Sequence, residues 1–569
     1  MKILGINSVY HESAAALLVN GELVSFIEEE RLNRFKHGKN AELDNPHVLP
    51  VQAIKKCLEI GGLKFSDIDS FAFSFSRDGR KQNIGVDNFL KPGGWGSEEG
   101  EKIFHENFLK VPGALSELAG FDVNDRLIFV DHHLAHAASA FLCSPFKEAL
   151  VLIVDGIGEF DSISAYVGRH NQLGKIFSLP YPHSLGFLWE KICKFIGFSE
   201  HDACKLMGLS SYGDPEKFRE NFKKLAWPDS SSLFKVNNDI ARFRSDDFSA
   251  LEELFGPARA KDSHIEMRHK DLAATLQQFT SQCILELALK LKKQLRINKL
   301  CLAGGTALNC VANSFLQKEG GFGDIFVQPA ANDAGSALGA AMYVWHGLNE
   351  QPRGFAMKHA YYGPEYSEEE IKRTIKQAGL KAEKVSDAGK RAAGLIADGN
   401  IVGWFRGRME VGPRALGNRS LLADPRRADM REILNKKIKH REEFRPFAPS
   451  VLAEKAGEWF EIPGRSLSQE FMLLTFSTRK KNHEKIPAVI HIDRTSRIQA
   501  VNRETNPDYH QLICEFEKLT GVPMVLNTSF NDSEPIVMSP EDAIKTFLKT
   551  GIDALFLHDY MILKQGGRG

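Results

Sequence analysis

The chain has 569 residues, more than one hydrophobic core usually supports, so we expect at least two domains. Hydrophobic residues make up 43% of the chain and charged residues 26%, which is typical of a soluble globular protein and excludes a largely disordered one. Lys plus Arg and Asp plus Glu both number 73, so no global field favours nucleic acid or an anionic membrane, and we expect neither as a partner.

The cysteines and the N-terminus predict a cytoplasmic protein. None of the eight cysteines forms a C-x-x-C pair and several lie in apolar runs, so we expect reduced thiols in the core. The start "MKILGINSVYHES" turns polar after six residues, too early for the apolar part of a signal peptide. No apolar run reaches the roughly 18 residues of a membrane-spanning helix. We therefore expect a soluble monomer or homodimer.

The first 170 residues contain the same layout twice. "MKILGI" predicts a buried strand, and Asn20 and Gly21 predict a hairpin turn between the strands "AAALLV" and "ELVSFI". "ALVLIVDGIGEFDSISAYVG" is again a strand, a Gly-containing turn with acids, and a return strand. The repetition predicts an internally duplicated α/β domain.

Two later strands lead into helices, and a boundary follows them. "KLCLAGGTALNC" runs from a strand through Gly304 and Gly305 into a helix, a turn that lets backbone approach an anionic ligand. "FVQPAANDAGSALGAAMYV" has the same form, with Asp333 near the helix start. Residues 350–365 lose apolar periodicity before a capped helix at Ser367, which predicts a domain boundary there.

The stretch "HHLAHAASAF" raises the question of a metal site. His132 and His136 are four residues apart and share one face of a helix, where neutral imidazoles chelate a divalent ion. Alone, the motif favours a core helix. Asp155 and Asp333 both follow apolar strands, whose carboxyl ends line the ligand crevice of an α/β sheet. Two imidazoles and two carboxylates suit iron, zinc or manganese, although either Asp serves equally well as a turn cap.

The C-terminal region concentrates basic residues beside Gly and Pro turns, in "RMEVGPRALGNR", "KHREEFRPF" and "DRTSR". Arginine forks bind phosphate in a bidentate manner, so we interpret four of these residues as an oxyanion pocket rather than as surface salt bridges. These are Arg414, Lys439, Arg445 and Arg497. Asn527 and Ser529 in "LNTSFN" either donate hydrogen bonds to the same phosphate or close a turn.

Long motifs in both halves resemble the O-carbamoyltransferase family, which includes NodU-type nodulation proteins and antibiotic-tailoring enzymes. In the N-terminal half these are "HESAAALLVNGELV", "EEERLNRFKHG", "HHLAHAASAF", "VDGIGE", "KLMGLSSYG" and "LAGGTALNCVAN". In the C-terminal half they are "GRMEVGPRALGNRSLLADPR", "KHREEFRPFAPS", "HIDRTSRIQAV" and "GVPMVLNTSFNDSEPIV". The resemblance implies a duplicated actin/sugar-kinase-like ATPase domain, similar to the threonylcarbamoyl transferases, at 1–355. A YrdC-like α/β domain is implied at 356–569.

The resemblance also implies roles for individual residues. The implied metal ligands are His132, His136, Asp155 and Asp333, which would hold Fe(II), with Mn or Zn as alternatives. The implied nucleotide-binding residues are Gly156, Gly158, Lys205, Gly304, Gly305 and Asn309. The implied carbamoyl phosphate-binding residues are Arg414, Lys439, Arg445, Arg497, Asn527 and Ser529. His11 and Lys36 are the implied catalytic residues, and a purely structural His11 is the alternative.

The implied reaction uses ATP with Mg, carbamoyl phosphate and a hydroxylated small molecule such as a secondary metabolite or sugar. Carbamoyl adenylate would form in the C-terminal domain, and its carbamoyl group would then pass to the acceptor hydroxyl in the N-terminal domain. The alternative is a small-molecule or sugar kinase on the same ATPase fold, with Asp155 as the base. A third hypothesis is a regulatory ATPase or an assembly scaffold. A kinase leaves the paired histidines and the arginine-rich C-terminal region unexplained.

Some positions depart from the family pattern. Glu12, Val411 and Arg494 stand where Asp, an aromatic residue and Gly are usual. Residues 75–102 form a long polar stretch that matches nothing in the pattern. Long loops of this kind are often functional, so we predict that this stretch shapes the acceptor site.

Overall fold

The computed structural model divides into two compact units. The described residues are 1–40, 45–76, 79–464 and 466–564. Unit 1 consists of Met1–Glu29 and His37–Met357, and unit 2 of Glu30–Lys36 and Lys358–Gly569. A short N-terminal segment, which contains helix α1 (Glu30–Asn33), therefore belongs to the same unit as the C-terminal region.

Unit 1 contains two five-stranded sheets with the same strand order. The first has β1 Lys2–Asn7, β2 Ala14–Val19, β3 Glu22–Glu28, β4 Ser70–Phe73 and β5 Leu127–Phe129. The second has β6 Glu148–Val154, β7 Asp161–Arg169, β8 Gln172–Pro180, β11 Lys299–Ala303 and β12 Asp324–Val327, and β9 Ala226–Asp229 with β10 Leu233–Val236 forms a separate hairpin.

Strand order demonstrates the duplication. The orders are β3-β2-β1-β4-β5 and β8-β7-β6-β11-β12. In each sheet the first three strands are antiparallel and the last two are parallel neighbours of the first strand and of each other. The central strands β1 and β6 are buried along nearly their whole length, as expected when helices cover both faces. The predicted α/β fold with an internal duplication is confirmed.

Two helices of unit 1 cross between the halves. The helices of this unit are α2 Val51–Gly61, α3 Glu98–Phe108, α4 Val111–Ala119, α5 His132–Phe141, α6 Leu185–Phe195, α7 Ala203–Ser210, α8 Arg219–Leu225, α9 Asn238–Ala241, α10 Ser249–Phe255, α11 Met267–Leu295, α12 Cys310–Glu319 and α13 Ala334–Tyr343. Helix α5 follows β5 but packs on β6 and β11, whereas α13 follows β12 but packs on β1 and β2. The two helices also pack on each other, so the start of each lies between the sheets.

Unit 2 is built on a mixed sheet of eight strands in the order β13-β22-β21-β14-β15-β20-β16-β19. Its strands are β13 Glu383–Lys384, β14 Val402–Phe405, β15 Arg419–Ala423, β16 Ala448–Leu452, β17 Thr475–Ser477, β18 Thr495–Arg497, β19 Gln499–Val501, β20 Met524–Ser529, β21 Ala554–Leu557 and β22 Tyr560–Leu563. Strands β17 and β18 form a small second sheet. Its other helices are α14 Glu368–Gln377, α15 Ala388–Ala397, α16 Met430–Leu434, α17 Ala456–Trp459, α18 Pro507–Thr520 and α19 Pro540–Lys549.

The N-terminal segment of unit 2 is held by two arginines. Arg31 has a side chain that is 2% exposed and donates to the carbonyl oxygen of Gly412 at 2.8 Å. Arg34 donates to the carbonyl oxygens of Ile536 at 2.8 Å and Pro535 at 2.5 Å. These charge-assisted bonds connect the segment to two separate turns of the unit.

No helix within the described residues has the length and apolar character needed to cross a bilayer. Six of the eight cysteines are buried, while Cys204 is exposed and Cys514 is intermediate. All eight are free thiols.

Candidate functional site

Two helix starts and one strand end bring four metal-binding side chains together in unit 1. His132 and His136 lie in the first turns of α5, Asp155 directly follows β6, and Asp333 directly precedes α13. Because α5 and α13 pack together beside β6, their ends converge although the residues are distant in sequence. We call these four residues the His-Asp group.

The donor atoms of the His-Asp group lie within 4.8 Å of one another, and all four residues are buried. The two Nε2 atoms of His132 and His136 are 3.1 Å apart. Oδ2 of Asp155 lies 3.4 Å and 3.3 Å from them. Oδ1 of Asp333 lies 3.5 Å from each.

Surrounding hydrogen bonds orient the group. Nδ1 of His132 lies 3.3 Å from the carbonyl oxygen of Ser74, which only accepts, so Nδ1 holds the proton and Nε2 presents a lone pair when the ring is neutral. Oδ1 of Asp155 accepts from the backbone amides of Gly156 at 2.9 Å and Gly305 at 3.1 Å. The other oxygen, Oδ2, is thereby directed into the group.

The electrostatics favour ionised carboxylates paired with protonated imidazoles. Burial alone would lower the pKa of His132, but Asp333 and Asp155 outweigh it and hold that pKa well above its ordinary value. The pKa of His136 is raised in the same way. Burial favours a raised pKa for Asp155, yet the two imidazoles that face its carboxylate hold that pKa well below the ordinary value. Burial and Asp155 oppose ionisation of Asp333, but the histidines lower its pKa to about 2.

The His-Asp group fits a divalent metal ion. Oδ2 of Asp155 is buried and forms no hydrogen bond of good geometry among the described residues, although two imidazole nitrogens face it. Two nitrogen and two oxygen donors that converge on one point match the ligands of iron, manganese and zinc. Bound metal would replace the protons that otherwise separate these atoms.

His11 lies next to this group. Its Nδ1 is 3.9 Å from Oδ2 of Asp333 and forms no hydrogen bond with any described residue, and its side chain is 31% exposed. Two further histidines, which the sequence analysis did not identify, lie close to it. The ring centre of His37 is 5.9 Å from that of His11, and the ring centre of His201 is 5.6 Å from it. Burial, followed by the charge of His37, lowers the pKa of His201 to about 4. The motif "EEERLNRFKHG" contains His37, but the family resemblance implied a role only for its neighbour Lys36.

Lys36, the other predicted catalytic residue, belongs to unit 2. It lies in the N-terminal segment of unit 2 and its side chain is exposed. The structure therefore does not bring Lys36 and His11 together within one unit. A departure from the family pattern has a local partner, since Oε1 of Glu12 lies 2.7 Å from Nδ1 of His37.

Glu190 is an acidic residue near the His-Asp group that the sequence analysis did not identify. It lies in α6, and its Oε1 is 3.8 Å from where a Cβ atom on Gly156 would stand. Burial raises the pKa of Glu190 to about 7, while the charges of His11 and Arg244 act in the opposite direction. In the sequence it is one acid within the apolar helix "LGFLWEKICKF", and nothing local signals its position.

The predicted nucleotide-binding glycines line the same region. Gly304 has φ +90, and a Cβ atom there would lie 2.5 Å from the carbonyl oxygen of Val154. A Cβ atom on Gly158 would lie 2.9 Å from His133. Glycine is therefore required at both turns by close approach of neighbouring atoms.

Two other predicted nucleotide-binding residues have structural partners. Asn309 caps α12 by accepting from the amide of Ala312 at 3.0 Å, and its amide group donates to Gln277 at 2.9 Å. Lys205 lies 3.2 Å from Asp202. The structure groups neither residue with the His-Asp group through a direct contact.

In unit 2, Lys439 and Ser529 contact each other. A π-helical turn after α16 ends at Lys439, and such turns often mark functional positions. The Lys439 amine is buried and donates to the carbonyl oxygens of Ser529 at 2.5 Å and Asn531 at 2.8 Å. Burial and the nearby charges of Arg441 and Arg445 hold the pKa of Lys439 well below its ordinary value.

Asn527 connects the segments that carry two predicted phosphate ligands. Its amide donates to the carbonyl oxygen of Ala415 at 3.1 Å and to Oε1 of Gln499 at 3.2 Å. Ala415 follows Arg414, and Gln499 lies two residues after Arg497, so both arginines lie near this end of β20. Asn527 is thus held by protein groups.

The remaining basic residues of unit 2 differ in exposure. Arg445 is half-buried and lies 3.7 Å from Glu442, and its charge acts on Lys439. Arg494, which departs from the family pattern, is exposed and has φ +69, the region where glycine is favoured. Val411, the other departure, is buried.

Comparisons with known proteins identify the family. The carbamoyltransferase N-terminus model matches residues 2–342, and the carbamoyltransferase C-terminus model matches residues 393–564. The uncharacterised protein sll1178 of Synechocystis sp. is 39% identical over 99% of this chain and 96% of its own. The nodulation protein NolNO of Sinorhizobium fredii is 38% identical over 98% of this chain and 80% of its own.

One solved structure gives an example of a distant overlap with this chain. Component A of the (R)-2-hydroxyglutaryl-CoA dehydratase of Acidaminococcus fermentans is 15% identical, with a TM-score of 0.34, and covers 61% of this chain and 99% of its own. The family assignment rests on the sequence matches. The chain belongs to the carbamoyltransferase family and is a transferase enzyme.

Proposed function

We propose that this protein is an ATP-dependent O-carbamoyltransferase that modifies a hydroxyl group of a small molecule, a secondary metabolite or sugar. The observation that carries the proposal is the buried His-Asp group within a member of the carbamoyltransferase family. Carbamoyl phosphate is the proposed donor, and carbamoyl adenylate is the proposed intermediate.

Adenylate formation is assigned to unit 2, around β20. There water would release carbamate from carbamoyl phosphate as phosphate leaves, and a carbamate oxygen would then bond to the α-phosphorus of ATP while the bond from that phosphorus to pyrophosphate breaks. Arg414, Arg445 and Arg497 would bind the phosphate oxygens through their paired N–H donors. Lys439 fixes the turn at Ser529 and Asn531 through its hydrogen bonds. The position of these groups along one strand end supports the assignment.

Carbamoyl transfer is assigned to unit 1. His132, His136, Asp155 and Asp333 would hold a divalent ion, Fe(II) by the family resemblance, which supplies positive charge that polarises the oxygens of the adenylate. His11 would accept the proton of the acceptor hydroxyl, because its Nδ1 forms no hydrogen bond with any described residue and its side chain is partly exposed. The acceptor oxygen would then bond to the carbamoyl carbon while the bond from that carbon to AMP breaks.

Product analysis tests the proposal against a kinase. With ATP, Mg and carbamoyl phosphate, we expect AMP and pyrophosphate that form only when carbamoyl phosphate is present. ADP as the nucleotide product would contradict the adenylate route and favour a kinase. Mass spectrometry of hydroxylated metabolites would then identify the acceptor by the addition of one carbamoyl group.

Variants separate the two stages. Arg445→Ala is expected to abolish adenylate formation but to retain transfer from supplied carbamoyl adenylate, whereas His136→Ala is expected to do the reverse. Arg494→Ala, at an exposed arginine of the same unit, is the matched control and should behave as the wild type. Equal loss of both stages in Arg445→Ala would contradict the division of labour.

A further inference from the structure

The stretch at 75–102, of which residues 77–78 lie outside the described part, packs beside the His-Asp group. Arg80 is buried, forms an ion pair with Glu101 at 2.7 Å and donates to the hydroxyl of Tyr10 at 2.6 Å. Tyr10 in turn donates to the carbonyl oxygen of Gly158 at 2.7 Å. The guanidinium of Arg80 also lies 4.0 Å from the ring centre of Trp95. The stretch is thus anchored at the turn that follows Asp155.

A second guanidinium lies in this aromatic cluster. Cζ of Arg244 is 4.3 Å from the ring centre of Trp95, 4.4 Å from that of Phe187 and 5.0 Å from that of Tyr181. The Phe187 ring is itself 3.8 Å from where a Cβ atom on Gly156 would stand. Arg244 is therefore one aromatic ring away from the backbone beside the His-Asp group.

Arg244 differs from its neighbours in having no counter-charge at ion-pair distance among the described residues. Arg80 pairs with Glu101 and Arg242 pairs with Asp247, but Arg244 forms no ion pair with any described residue. A half-buried guanidinium loses part of its hydration, and no carboxylate in contact with it compensates for that loss. Aromatic rings contact its faces, and one of its N–H groups donates to the Tyr181 hydroxyl. The other N–H donors along the planar edge match a carboxylate.

Glu190 does not serve as this counter-charge. The two side chains form no ion pair within the described chain, and burial raises the pKa of Glu190 to about 7, so its carboxyl is only partly ionised near neutral pH. An anion from outside the protein is the partner that the arrangement lacks.

The loop that carries Arg244 is fixed in place. Lys191, in the same helix as Phe187, donates to the carbonyl oxygens of Arg242 at 3.0 Å, Ser245 at 2.7 Å and Asp247 at 3.1 Å. These bonds hold the backbone on both sides of Arg244. The guanidinium is therefore positioned before any ligand binds, which lowers the entropic cost of binding.

We propose that Arg244 binds a carboxylate of the acceptor, so that the acceptor is an acidic, hydroxylated small molecule. The proposal rests on the proposed carbamoyl transfer in unit 1 and specifies its substrate class. With its carboxylate on Arg244, the acceptor would lie along the aromatic cluster and direct a hydroxyl towards His11. Residues 79–102 would contribute to acceptor selection through Trp95.

Calorimetric binding to the full chain tests this with two probes that differ only in charge, D-glucuronate and D-glucuronamide. We expect the wild type to prefer glucuronate about tenfold, because a charge-assisted bidentate contact is lost with the amide. Arg244→Gln is expected to abolish the preference, and Arg244→Lys to reduce it. Arg242→Gln, at an arginine of the same loop that is already paired with Asp247, should keep it.

Three results would overturn the proposal: no preference in the wild type, an unchanged preference in Arg244→Gln, or an equal loss of AMP binding in that variant, which would place Arg244 in the nucleotide site. If Arg244→Gln does not fold, Arg244→Lys decides the question. The proposed function is tested separately by AMP formation from ATP and carbamoyl phosphate, which does not use the Arg244 site.

Discussion

His136 contributes one nitrogen to a set of four donors, and the other three remain if it is removed. We predict that His136→Ala lowers the metal content of the purified protein while the fold survives, because a four-donor site loses a ligand without losing a backbone contact. Elemental analysis together with circular dichroism measures both. His133→Ala is the control, since its Nδ1 lies 2.8 Å from Ser164 Oγ and its ring is outside the group. Unchanged metal in His136→Ala would refute the ligand assignment.

Protonation of the same residues predicts how stability depends on pH. The pKa values of His132 and His136 are raised by the carboxylates around them. The stabilisation that comes from a raised imidazole pKa is fully present below the pKa of the unfolded state, about 6.5. It is lost as the pH rises through the pKa of the folded state. We therefore predict that chelator-treated protein loses thermal stability as the pH rises above about 6.5.

Metal should reverse that loss, because it takes the place of the protons and binds more tightly as the imidazoles deprotonate. Thermal unfolding with and without added Fe(II) or Mn(II) measures the effect. A melting temperature that falls with pH equally in both samples would show that the His-Asp group is not responsible.

Glu190 predicts a second dependence of stability on pH, because burial disfavours its charged form. Burial raises its pKa to about 7 from 4.5, so stability that is present below the unfolded pKa is lost as pH rises through the folded one. Glu190→Gln removes this loss and should raise the free energy of unfolding at about pH 8 by about 2 kcal/mol, with little effect at about pH 4.

Urea unfolding of chelated protein at both pH values measures the effect of Glu190→Gln. Glu253→Gln, at an exposed position of α10, should change neither value. An equal gain at both pH values would contradict a titrating Glu190.

Local sequence patterns predicted the strands, but they did not predict which helix packs on which sheet. The Asn-Gly pair gave the turn between β2 and β3, where Asn20 and Gly21 both have positive φ, and the repeated strand-turn-strand layout gave the duplication. No local pattern showed that α5 would pack on the sheet of the other half, because that contact depends on residues far apart in sequence. The family motifs supplied what the patterns lacked for His132 and Asp333.

The contact between α5 and α13 predicts a sensitive glycine. A Cβ atom on Gly339 would lie 1.7 Å from the carbonyl oxygen of Ala135. Gly339→Ala should therefore force the helices apart and lower the free energy of unfolding by about 3 kcal/mol. Metal content should fall as well, because the two helices position three of the four ligands.

Chemical unfolding and elemental analysis test Gly339→Ala. Gly113→Ala in α4 is the matched control, since a Cβ atom there meets nothing within 4 Å. That substitution should raise stability by roughly 0.5–1 kcal/mol. A Gly339→Ala protein that is as stable as the wild type would mean that the helices have room to adjust.

At the scale of the whole molecule, the sequence predicted one boundary near 350–365. The units divide after Met357, and a short N-terminal segment also belongs to unit 2. Glu30–Lys36 is surrounded in sequence by unit 1, and only its contacts with residues beyond 400 place it in unit 2. Such long-range contacts leave no periodic signal. The same limit applies to Lys36, whose motif position did not reveal that its side chain is exposed.

This discontinuous arrangement predicts that a residue of the first 40 stabilises the C-terminal unit. Arg31→Ala removes a side chain that is 2% exposed and leaves the carbonyl oxygen of Gly412 without its donor. The lost packing and the unpaired carbonyl should together cost about 2–4 kcal/mol.

Hydrogen-exchange mass spectrometry reports the two units separately. We expect Arg31→Ala to reduce protection in β14, β15 and β20 of unit 2 and to leave β1 and β6 of unit 1 unchanged. Lys36→Ala, at an exposed position of the same segment, should alter neither. Equal loss of protection in both units would show that Arg31 stabilises the chain as a whole, because a contact confined to unit 2 raises the cost of opening that unit alone.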